Sequence, residues 1–173
     1  MKQRLVMEAV MAAIYGEIMF PIRPVEYVVP YSSIMELYEL RDHVSTIMPD
    51  PADDAHVRKK ILEMIAFFDN ELNRKKIEKI FALPWRMSAP LVVNNDVSFV
   101  VVNVSDNEQY GESFDPIETE MLLTAVREQL PILTDQPEFV ERIISFEIPI
   151  QVFDVEDLEY ALETDRYDAS PSN

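Results

Sequence analysis

No cysteine occurs among the 173 residues, which excludes disulfides, thiolate metal sites, Cys-x-x-Cys redox motifs and cysteine nucleophiles together. Glycine is nearly as scarce: only Gly16 and Gly111 are present, far apart. Neither a phosphate-cradling loop nor a dinucleotide fingerprint can be written without glycine where backbone must approach phosphate. The Gly-x-Ser-x-Gly nucleophile elbow is excluded by the same count. Only two histidines, His43 and His56, are available to a serine triad, and neither sits in a catalytic motif. The chain therefore carries no cofactor-binding motif.

Long apolar runs are also missing. No segment approaches the roughly 18 consecutive apolar residues of a membrane span. The stretch from Met1 to Met19 has Lys2 and Arg4 before an apolar run, but Glu8 and Glu17 interrupt it and no small-residue cleavage site follows. A cytoplasmic, membrane-free protein is the expectation.

Positive charge is scarce as well. Fifteen Lys and Arg face 32 Asp and Glu, a net charge of −17. Residues 1–90 hold 12 basic against 13 acidic side chains, a net of −1, whereas residues 91–173 hold 3 against 19, a net of −16. No lysine follows Lys79. Such a surface repels phosphate backbones and anionic headgroups, so direct nucleic-acid binding is disfavoured. With 48% hydrophobic and 27% charged residues the chain is too apolar to be disordered and should form one core.

What is present reads as a single α+β domain over residues 1–163, a small three- to four-stranded sheet with a central hairpin strand and about five helices packed on it, followed by a disordered acidic tail over 164–173. Leu5 to Ile18 is apolar almost all round and reads as a buried helix in preference to a strand. Val25 to Val29, bracketed by Pro24 and Pro30, reads as a short edge strand. Asp53 and Asp54 open the most strongly patterned helix, with Val57, Ile61, Ile65, Phe68 and Leu72 on one stripe that can continue to Pro84. Asn94-Asn95-Asp96 turns a hairpin into Val97 to Val104. Asp115-Pro116-Ile117-Glu118 starts a further helix, Asp135 to Pro137 another, Ile148 to Phe153 alternates as an edge strand, and Asp154 caps a last helix.

Candidate sites follow from the charge pattern. Asp50, Asp53, Asp54 and His56, with His43 upstream, form the most metal-like cluster, yet a proline-bounded turn and a capped helix start account for every acid in it. Acidic pairs such as Glu118 with Glu120, or Glu156 with Asp157 and Glu159, have the chemistry for general acid-base work, and are equally expected on solvated faces. The basic clusters Arg58-Lys59-Lys60 and Arg74-Lys75-Lys76 should pair with neighbouring Glu63, Glu71 and Glu78. Trp85 beside Arg86 could anchor an interface, since Trp and Arg dominate hot spots.

The favoured functional expectation is a non-enzymatic acidic interaction protein: an inhibitor, immunity-type antagonist, nucleic-acid mimic or adaptor. Its basic protein partner would dock on the C-terminal half through Asp154, Glu156, Asp157, Glu159, Glu163 and Asp165, with Trp85 and Arg86 as anchors. The alternative is a metal-dependent hydrolase assembled from scattered carboxylates and a histidine, since such sites draw on residues distant in sequence. A homo-oligomer burying the N-terminal apolar segment is a third.

Overall fold

The computed structural model describes residues 2–105 and 112–168, with side chains through 164. Strands β1 (Gln3–Val6), β2 (Val25–Pro30), β3 (Leu91–Val92), β4 (Val97–Val102), β5 (Ile132–Leu133) and β6 (Val152–Phe153) form one sheet in the order β3-β4-β2-β1-β5-β6. Every neighbouring pair is parallel except β3 with β4. The α-helices of the described residues are α1 (Met11–Ile14), α2 (Tyr31–Asp42), α3 (Pro51–Asp69), α4 (Glu71–Glu78), α5 (Pro116–Glu128), α6 (Pro137–Ser145) and α7 (Val155–Asp168), with short 3-10 turns at Gly16–Met19 and Lys79–Ala82. The expected small α+β sheet with five helices is thus overturned: the architecture is α/β, with a six-stranded mixed sheet, mostly parallel, and seven helices.

The physical source of the difference lies in three short strands. Leu5 and Val6 are both fully buried, on opposite faces of the sheet: Leu5 packs in one core with Tyr27, Val29, Phe99 and Val101, and Val6 in the other with Val28, Val100 and Val102. A strand covered on both faces loses its alternation and looks like a buried helix. The segment read as one helix is in fact the end of β1, a tight bend, the single turn α1 and the start of a 3-10 turn over Gly16–Met19. Strand β5 is only two residues long, below any readable period. Strand β2 is not at an edge but between β1 and β4. Its prolines are harmless because Pro24 precedes the ladder and Pro30 is its last residue, so no interior N–H is missing.

The long helix also divides. Asn70 leaves the helical conformation and its side chain accepts the Asn73 N–H at 2.9 Å, ending α3 and capping α4. Val57, Ile61, Ile65 and Phe68 are buried as one stripe, while Leu72, beyond the break, is exposed. Phe68 packs edge-on, and Phe67 at a tilt, against Phe99 of β4. Helices α1 to α4 and α7 cover this face, and α5 and α6 cover the other. Helix α7 continues through Asp168; residues 169–173, in the segment expected to be a tail, lie outside the described residues.

The chain runs from β1 outward to β2 and β4, then returns to add β5 and β6 on the other side of β1. Connections therefore diverge at the carboxyl ends of β1 and β5, and open α/β sheets bind ligands in the crevice such a switch creates.

Candidate functional site

The segments that follow β1, β2 and β5, together with the start of α5, bring carboxylates from four separate parts of the chain to this crevice. Glu8 follows β1, and its bend is pinned on both sides. The Met7 N–H donates to the Val28 carbonyl at 3.0 Å and the Ala9 N–H to Ser33 Oγ at 3.2 Å, while the Glu8 carbonyl accepts from the Met11 N–H to start α1. Glu36 comes from the second turn of α2. Asp115 is the N-cap of α5 and Glu118 its third residue; each side chain accepts the other's backbone N–H, at 2.7 and 3.0 Å. This capping box satisfies two N–H groups the helix would otherwise leave open. Asp135 follows β5; it was expected to help start α6, but α6 is preceded by Gln136 and Asp135 instead accepts the Tyr15 hydroxyl at 2.7 Å.

These charges are unequally compensated. Arg142 of α6 grips Glu118 with two nitrogens, at 2.9 and 2.7 Å, and its guanidinium lies over the rings of Phe114 and Phe139. Burial pushes the Glu118 carboxyl upward, but Arg142 and the Asp115 N–H outweigh it and hold the group below its usual range. Glu8 has no such partner: among the described residues no hydrogen-bond donor and no cation reaches its carboxylate. Burial, followed by repulsion from Glu36, Asp115, Glu118 and Asp135, lifts it from 4.5 to about 8. Glu36 is raised by burial and by Asp115 and Glu39. Glu120 is raised by burial, against the opposing effect of the Ser32 hydroxyl that donates to it.

Two clefts open on this acidic centre. One, of about 520 Å³, is walled by Tyr31, Met35, Ile117, Glu36, Asp115 and Glu120. The other, of about 320 Å³, is bounded by Glu8, Tyr15, Met48, Asp135 and Glu138. Among the described residues no three acidic or histidine side chains converge closely enough to hold an ion by themselves. The site offers hard oxygen donors on separate elements with room between them.

The metal-like cluster and the partner-binding residues read from sequence fall elsewhere. Asp50 caps α3 by accepting the Ala52 and Asp53 N–H groups. Asp54 accepts the Ile47 and Met48 N–H groups and pairs with Arg58 at 2.9 Å, tying down the preceding loop. His43 sits at the end of α2 against Ser45, and His56 is exposed on α3. Capping and loop anchorage account for this cluster. Asp50→Ala should accordingly cost about 1 kcal/mol in a urea melt, with the same loss in EDTA as in millimolar divalent cation. A larger loss confined to the cation-loaded sample would contradict the capping role.

Asp154 and Asp157 cap α7 reciprocally at 3.0 and 2.8 Å, and Glu156, Glu159 and Glu163 are exposed on that helix; the side chain of Asp165 lies outside the described residues. Trp85 and Arg86 are not brought to this patch. They flank β4 towards the far edge of the sheet from β6, the Trp85 N–H bonding Asn103 and its ring carrying Arg127 at 4.8 Å. Trp85 has a φ of 62°, a left-handed conformation unusual for a bulky residue. The basic residues of α3 and α4 pair locally, Lys60 with Glu63, Lys75 with Glu71 and Arg74 with Glu78.

Sequence reasoning reached Glu118 and Glu120 as a pair but passed over Glu8 and Asp135. The available signal for Glu8 was a lone acid inside an otherwise buried run, which is costly unless a function or a partner retains it. No family model matches the chain, and no curated protein matches it. No described helix is long and apolar enough to cross a membrane.

Proposed function

We propose that the protein is a divalent-cation-dependent hydrolase acting on phosphoesters, with Glu8, Glu36, Asp115 and Asp135 as its working carboxylates. The observation that carries this reading is Glu8: a half-buried acid at the carboxyl end of the central strand, at the topological switch point, facing four other acids with no cation of the protein's own. Keeping such a group uncompensated destabilises the fold, and a cation supplied from solution removes the repulsion.

Donor chemistry favours a hard ion. Carboxylates without thiolate or imidazole suit Mg²⁺ or Mn²⁺, and neither histidine is among the groups that perturb Glu8. Mg²⁺ is characteristically held by one or two carboxylates, several waters and substrate phosphate, which fits dispersed donors better than a closed cage. The bound ion would also offset the repulsion between a phosphate and this acidic crevice. In the reaction, a water oxygen attacks phosphorus and the ester P–O bond breaks. An ionised Glu8 takes the proton from water, the alkoxide leaves and solvent protonates it. With the cation bound, the burial and repulsion that raise Glu8 are offset, so its carboxylate is ionised and able to accept that proton at neutral pH.

The test combines binding and turnover. Saturating Mg²⁺ or Mn²⁺ should raise the unfolding temperature by several degrees, since a ligand at 100 times its Kd contributes about 2.7 kcal/mol and this chain length gives about 2–4 °C per kcal/mol. The same ions should support release of nitrophenolate from bis(4-nitrophenyl) phosphate, and EDTA should stop it. Neither stabilisation nor turnover with any divalent cation would overturn the reading.

A further inference from the structure

Residues 17–22 lead into the amino end of β2, at the opposite end of the sheet from the carboxylate crevice, and meet α7 across a groove of about 480 Å³. Its floor is Ile18, Leu158 and Leu162, all at least 97% buried, yet its lip leaves Phe20 81% and Ile22 60% exposed. Two large apolar side chains so far out of the core mark an interaction surface more readily than a fold requirement. Among the described residues, every charged side chain on the rim is acidic: Glu17, Glu159 and Glu163 border the groove, no Lys or Arg lines it, and none of the three acids is ion-paired.

From this pairing of an apolar trough with an uncompensated acidic rim, we infer that the groove docks a basic amphipathic helix from another protein. The partner's apolar stripe seats against Phe20, Ile22 and Leu162, and its Lys or Arg side chains meet Glu17, Glu159 and Glu163. Glu159 and Glu163 are one helical turn apart, about 6 Å along α7, so they match basic residues repeated at one-turn spacing on a helix laid alongside. Like charges at that spacing repel in the free protein, and an opposing cation relieves them. A second copy of this chain is a poor occupant, because its C-terminal half carries the same excess of negative charge. Of the acidic residues expected from sequence to bind a partner, Glu159 and Glu163 border the groove among the described residues, and Phe20 and Ile22 supply its exposed apolar lip.

The experiment uses the full chain and a fluorescein-labelled Leu/Lys peptide patterned as an amphipathic helix, with a Leu/Glu peptide as control, followed by fluorescence anisotropy at low and high salt. Binding of the Leu/Lys peptide alone is expected, weakened by salt and reduced roughly tenfold or more in both Glu159→Lys/Glu163→Lys and Phe20→Ser/Ile22→Ser variants. All four positions are exposed, and a circular dichroism melt checks that the variants fold. Three outcomes overturn the inference: no binding, binding retained in the Phe20→Ser/Ile22→Ser variant, or sedimentation showing a dimer of the wild-type chain that the same variant dissolves.

Discussion

Glu8→Gln is expected to make the cation-free protein more stable at pH 8 than the wild type, while abolishing both its stabilisation by Mg²⁺ and its phosphoesterase turnover. The sign follows from linkage. The Glu8 carboxyl is raised to about 8 in the folded chain from 4.5, so between those values the folded state binds a proton that the unfolded state has lost. Stability contributed by this position is then highest below pH 4.5 and falls as pH rises towards 8, at up to about 1.4 kcal/mol per pH unit. Gln is nearly isosteric and uncharged, so it removes that slope. Urea melts at pH 5, 7 and 8.5 would read the difference between the two proteins, which should widen with pH in favour of Glu8→Gln.

A divalent cation reverses the order. It stabilises ionised Glu8 in the folded state, so wild-type stability in Mg²⁺ should lose its downward slope and cation affinity should rise up to about pH 8. Glu8→Gln should show neither effect. If the variant is less stable than wild type at every pH without cation, Glu8 is making a favourable contact instead, and the basis of the proposed site is gone.

How far the sequence disclosed this arrangement depended on length and period. Helix α3 was legible because its apolar residues recur at four, four and three over a long amphipathic face, and α5 because Asp115-Pro116 with Glu118 is a cap, a pre-set φ and a capping box in one string. The hairpin into β4 was legible from Asn94-Asn95-Asp96. Strand β1 was not, since a parallel strand buried on both faces carries no alternation and four residues are too few to separate it from a helix turn. Losing β1 hid the sheet's centre, and β5, two residues long, hid its far side. With both missing, the switch point and the meaning of Glu8 and Asp135 were lost as well. The acidic C-terminal half was read correctly as a charge distribution, but Asp154 and Asp157 in it serve as helix caps.

The largest purely structural effect should come from the ion pair Arg142–Glu118 beside the acidic centre. Arg142→Met leaves Glu118, whose side chain is 5% exposed, as a buried carboxylate without its counter-ion, and the expected cost is about 3 kcal/mol. That is the low end for a buried pair because the Arg142 side chain keeps 35% of its surface in water, where solvent screens it. The loss should also depend on pH. In the wild type the depressed Glu118 carboxyl contributes stability above its unfolded value that disappears as pH falls through the folded one, so acid denaturation should begin at higher pH in the variant. Removing both charges, in Arg142→Met with Glu118→Gln, should restore most of the loss, because the introduced amide oxygen can still accept the Asp115 N–H and no ion is left stranded. A double-mutant cycle by urea denaturation measures this directly: strong coupling marks a charge pair whose breakage, not whose absence, is costly. Additive losses would show that Arg142 acts mainly by packing over Phe114 and Phe139, and would detach it from the electrostatics of the crevice.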